Sequence, residues 1–160
     1  MDAMGNLVIA DTINDLVRVV AAHTGTFYGV AMTAGHIYTV AGGGLSGLGD
    51  GGPATSADLH GPAGVTVDGA GNLVIVDSLN YRIRVVAAHT GTFYGIAMTA
   101  GDIYTVAGTG TRGFSGDGST GTGADLSLSQ GNGPDAVAVG PAGNLLIADV
   151  WNSRIRSVAG

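Results

Sequence analysis

The chain contains no cysteine, no lysine and no glutamate, and Gln130 is its only glutamine. Without cysteine there are neither disulfides nor thiolate metal sites, so stability must come from strand pairing and packing. The missing Glu and Lys, with a lone Gln, remove most of the side chains that favour exposed helices. All twelve acids are Asp and all six bases are Arg, which leaves a formal net charge of −6. That balance lacks the clustered positive charge that holds phosphate backbones, and no nucleic-acid partner is expected. Long apolar runs are absent too. Val17 to Ala22 is interrupted by Arg18 and is far too short for a helical span, so no membrane insertion is expected. Met1 and Asp2 lead directly into repeat sequence, and no signal peptide is expected within these residues.

What is abundant points the same way. Thirty glycines punctuate stretches of Val, Ile, Thr and Tyr, the composition of an all-β chain with many turns. At 160 residues it can bury the core of one ordinary domain. Internal repetition then sets the architecture. Gly5-Asn6-Leu7-Val8-Ile9-Ala10-Asp11 returns at Gly71 to Asp77 and again at Gly143 to Asp149, offsets of 66 and 72 residues. Positions 5–42 and 71–108 differ at eight sites and are identical at the other 30 of 38.

Each unit reads as four short antiparallel strands. In the second copy these are a (64–68), b (73–76), c (82–86) and d (103–108). The a–b turn is Gly69-Ala70-Gly71-Asn72, and the b–c turn is Asp77-Ser78-Leu79-Asn80. Four strands per unit compose a propeller blade. The expected fold is a partial β-propeller in one segment, 1–160, with units of approximately 1–60, 61–132 and 133–160. The first copy lacks strand a and the third lacks strand d, so the inventory is b-c-d, a-b-c-d, a-b-c.

Gly61 to Asp68, Gly71 to Asp77 and Asn80-Tyr81-Arg82-Ile83-Arg84 together resemble an NHL repeat. Ile103 to Gly110 with Gly113 to Gly118 is similar to repeats of large secreted or cell-surface bacterial proteins, and teneurin-like proteins carry similar phrases. The resemblance covers essentially the whole chain. It implies a ring of about six blades, completed by a longer polypeptide or by a second copy, and a secreted or cell-surface setting.

Strand alternation places the b–c turns and the d–a crossovers on one face, and the a–b turns and c–d insertions on the other. On the first face Asp11 and Asn14, Asp77 and Asn80, and Asp149 and Asn152 recur once per blade. They read as a turn network, with Arg82 and Arg154 as the strand-c arginines that pair with the Asp. Leu16 stands at that position in the first copy, where whatever that arginine bonds is expected to be missing or replaced. A ring of carboxylates for a cation is the functional alternative. Gly47 to Gly52 and Gly113 to Gly118 have neither the acidic spacing of a calcium loop nor the lysine and following helix of a phosphate loop. The second crossover is six residues longer than the first and contains Arg112, which marks it for recognition.

Trp151 replaces Leu79 and Ile13 of the other copies and offers a ligand platform. Phe27, Tyr28, Phe93 and Tyr94, in the insertions 23–35 and 89–101, form either a contact surface or a cap on the blade edge. His23, His36, His60 and His89 share no ligand spacing, and Ser46, Ser56 and Ser115 lack a nucleophile elbow. No catalytic residue, metal or cofactor is therefore expected. The expected function is a non-catalytic module for protein or glycan contacts or for assembly. A metal-dependent lyase or lactonase of propeller type is the alternative by analogy of fold, with Asp68 and Asp135 nearest the axis.

Overall fold

A computed structural model describes residues 1–45, 47–129 and 135–160. The expected unit boundary at 132/133, Ser46 and Gln130 lie outside the described residues. No α-helix occurs among the residues described. Three antiparallel sheets follow one another. The first is β1 (Leu7–Asp11), β2 (Leu16–Val20) and β5 (Ile37–Gly42), in that order. The second runs β7 (Pro62–Val67), β8 (Leu73–Asp77), β9 (Arg82–Val86) and β12 (Asp102–Ala107), with β6 (Gly52–Pro53) on the outside of β12. The third is β13 (Val137–Val139), β14 (Leu145–Asp149) and β15 (Arg154–Val158). These are the expected b-c-d, a-b-c-d and a-b-c blades, and the fold is a partial, propeller-like all-β arrangement.

Each insertion, for which the sequence predicts no strands, contains its own hairpin: β3 (Gly25–Phe27) with β4 (Val30–Met32), and β10 (Gly91–Phe93) with β11 (Ile96–Met98). The signal was present. Tyr28-Gly29 and Tyr94-Gly95 sit between alternating β-formers, and both residues of each pair adopt positive φ, as a tight two-residue hairpin turn requires.

Two cores separate the three blades, and strand alternation explains how the middle blade serves both. Leu73 and Ile75 face the first blade and pack with Val17, Val19 and Leu59. Val74, Val76, Ile83 and Val85 face the third and pack with Leu126, Leu145 and Ile147. Hence β8 is buried throughout, whereas the near-identical β1 is not. Each apolar side chain so buried contributes about 1.5–3 kcal/mol. The outward faces of the end blades stay open, with Leu7 47% exposed on one and Ile155 72% exposed on the other.

Candidate functional site

The crossover face is built by the b–c turns. Asn14, Asn80 and Asn152 each donate their side-chain amide to the Asp three residues earlier, at 2.8, 3.0 and 2.9 Å. The following residue, Asp15, Tyr81 or Ser153, closes the turn in the left-handed region. Each turn of the second and third blades also grips the crossover arriving from the previous blade. Asp77 accepts the His60 amide and Asn80 donates to the Asp58 carbonyl. Asp149 accepts the Ser127 amide, and Asn152 donates to Gly113.

The arginine pairing differs from the expectation. Asp77 is paired not by Arg82 but by Arg84, at 3.1 Å, and Arg84 also meets Asp50 at 2.7 Å and the Leu48 carbonyl. Arg82 faces Asp77 across the ladder, yet its guanidinium turns out to the carbonyls of Asn80 and Thr109. Arg84 lies two residues further along the same face and is wholly buried, so it is the cation that needs neutralising. In the third blade Arg156 takes this role, near Asp149 and Asp117, while Arg154 donates to the Asn152 carbonyl. The first copy consequently keeps its pair, because Arg18 stands 3.5 Å from Asp11 and Leu16 removes only the outer arginine. Burial pushes the Asp77 carboxyl above its usual range, against the pull of the His60 amide, Asn80 and Arg84.

The opposite face carries a second network that sequence reasoning missed. Asp68 accepts the amides of Ala70 and Asn72 through Oδ1, and the Asn72 side chain and the Tyr94 hydroxyl through Oδ2. Asn72 in turn accepts the Ala88 amide. Asp2, Asn6 and Tyr28 repeat the arrangement in the first blade. The available signal was the Asp-x-x-x-Asn spacing at 2/6 and 68/72, broken in the third copy where Gly140 precedes Asn144. Tyr28 and Tyr94 thus staple the insertion hairpins to the a–b turns, beside half-buried Phe27 and Phe93. The carboxylates of Asp68 and Asp135 are both taken up in hydrogen bonds, Asp135 with the Ser78 hydroxyl and the Ser129 amide. Among the described residues, no three His or Asp side chains converge as metal ligands.

Burial, reinforced by the facing Asp, drives the Tyr28 and Tyr94 hydroxyls well above their ordinary value near 10. The folded state therefore holds the phenolic proton more tightly than the unfolded chain does. This stabilisation is complete below about pH 10 and declines above it, as the unfolded phenols ionise first. The urea midpoint should accordingly fall between about pH 9 and pH 11. A Tyr28→Phe, Tyr94→Phe variant should start lower and show a weaker decline.

At the second blade junction the crossover face exposes aromatic rings against arginines. Trp151 is 59% exposed with the Arg112 guanidinium 5.7 Å from its ring centre. Phe114 is 45% exposed, with Arg154 at 4.0 Å and Arg156 at 5.3 Å. Arg112 is anchored through Nε to the Ser127 hydroxyl and makes no ion pair with a described residue, nor does Arg154. At the first junction the corresponding positions are Leu48 and Leu79, so the two junctions differ in chemistry here. No helix among the described residues is long and apolar enough to cross a membrane.

This is the class of an all-β, propeller-like repeat segment. No family model matches the chain, and no curated protein matches it. Among solved structures it is similar to a structural-genomics protein of unknown function from Bacteroides thetaiotaomicron VPI-5482, with a TM-score of 0.63 and 21% identity. The match covers 96% of this chain and 32% of that one, so the chain spans about a third of its neighbour's length. A likeness at that identity speaks to the fold.

Proposed function

We propose that the chain is a non-catalytic NHL-type propeller segment that mediates protein or glycan contacts, within a secreted or cell-surface protein. The observation that carries this reading is the patch of Trp151, Arg112, Phe114 and Arg154. Exposed Trp and Arg are the side chains that most often dominate binding energy. Here Trp151 on its b–c turn meets Arg112 of the crossover, and Phe114 of the crossover meets Arg154 at the start of β15, in an otherwise acidic chain, with both guanidiniums free of carboxylate partners among the described residues. Such a surface favours an anionic group presented beside a flat apolar or sugar face.

Trp151 is the only tryptophan, so its emission reports the patch directly. Arrays of acidic glycans and acidic peptides should yield ligands that shift that emission saturably. Arg112→Ala should weaken binding about tenfold or more while leaving the urea midpoint in place. Turnover of a substrate that depends on one Asp or His, or ligands indifferent to both Trp151→Ala and Arg112→Ala, would overturn the proposal.

A further inference from the structure

A groove of about 560 Å³ runs beside β15, lined by Ala107, Gly121, Ala124 and Leu126 and by the strand's own outer side. We infer that it receives an extended polypeptide segment with the pattern of β12 and the residues that follow it, Asp-Ile-Tyr-Thr-Val-Ala-Gly-Thr. This inference rests on reading the chain as a propeller segment that binds partners.

The middle blade supplies the template. There β12 lies between β9 and β6, paired antiparallel with both. In the third blade β15 is the counterpart of β9, and β14 occupies only its inner side. Ser119-Thr120 is the counterpart of Gly52-Pro53 and lines the other wall. Ile103 packs among Ala54, Ala57 and Leu59 at the first junction. Their counterparts Gly121, Ala124 and Leu126 line the groove, so it offers the same apolar seat to an isoleucine.

One polar contact makes the parallel specific. Arg82 uses Nη1 on the Asn80 carbonyl and Nη2 on the carbonyl of Thr109, just beyond β12. Arg154 uses Nη1 on the Asn152 carbonyl in the same way. Among the described residues its Nη2 makes no such backbone contact, and by the template of Arg82 the incoming segment's last carbonyl would supply one. The register follows from the middle blade, where Ile103, Tyr104 and Thr105 oppose Val86, Val85 and Arg84. The Ile, Tyr and Thr of the guest should therefore oppose Val158, Ser157 and Arg156. Main-chain hydrogen bonds supply the affinity, and the alternating side chains supply the selectivity.

The probe is a fluorescein-labelled peptide of residues 101–109, titrated against the full chain by anisotropy, with hydrogen exchange to locate it. Saturable binding is expected, with new protection confined to amides of 154–158 and to those of Gly118 and Gly121, the counterparts of the Gly51 and Ala54 amides that bond the β12 segment. Replacing the peptide's Ile by Asp should abolish binding, and Arg154→Ala in the chain should weaken it several-fold. Trp151→Ala should leave it unchanged, so this test and that of the aromatic patch fail separately. Absence of binding, protection elsewhere, or equal binding of the Asp peptide would overturn the inference. So would concentration-dependent protection of 154–158 without peptide, which would assign the groove to a second copy of the chain.

Discussion

Replacing Arg84 by alanine should destabilise the fold by about 3–5 kcal/mol, whereas Arg18→Ala, at the equivalent position of the first blade, should cost under about 1 kcal/mol. The two arginines occupy the same place in near-identical sequence, so the difference lies in what surrounds them. Arg84 is wholly buried against a wholly buried Asp77 and also holds Asp50 and the Leu48 carbonyl. Removing it strands a carboxylate without its cation and releases the first crossover from the middle blade. Arg18 and Asp11 are part-exposed, and water takes over when either is lost.

With total stability of about 5–15 kcal/mol for a domain, the Arg84 variant should be close to unfolding at neutral pH. Its deficit should also shrink on acidification. With the guanidinium gone, the folded state prefers Asp77 protonated, so its folded pKa lies above the unfolded value. The stability tied to that proton is then recovered as the pH falls from 7 toward about 4. Urea denaturation followed by circular dichroism at pH 7 and pH 4.5 would check both the size and the sign. Equal losses in the two variants would show that burial does not set the value of this pair.

Much of the architecture was legible because the repeat states it three times. Blade inventory, strand order and loop faces follow from Gly-Asn-Leu recurring in register, since a propeller unit keeps its local pattern. Tertiary reach was not legible. The strand-c arginine that neutralises Asp77 is decided by which of two alternating positions is buried, and β9 carries arginine at both Arg82 and Arg84. The role of Tyr94 was hidden for the same reason. Its partner Asp68 is 26 residues away, and the sequence shows an aromatic in an insertion without showing where the insertion folds back. Trp151 stood out by differing from Leu79, but its companion Phe114 could be joined to it only once the crossover was seen against the b–c turn.

The Asp-Asn-Tyr network yields the second large effect. Asn72→Ala should cost roughly 3 kcal/mol, because the side chain has no exposure and both of its ends are used. Its loss leaves the Ala88 amide without an acceptor and takes one of four donors from Asp68. A buried donor left unsatisfied costs about 1–3 kcal/mol by itself. Asn144→Ala is the control within the same chain. Asn144 is half-buried and Gly140 stands where Asp68 does, so its loss should cost under about 1 kcal/mol. The consequence should also be local. Asp68 holds Tyr94, and Tyr94 holds the hairpin of β10 and β11, so hydrogen exchange across 91–98 should quicken in the Asn72 variant well below the urea midpoint. If that exchange were unchanged while global stability fell, the tyrosine would be packed by its neighbours and not stapled by the carboxylate. The urea midpoint and the exchange rate together therefore separate the value of the turn from the value of the staple it carries.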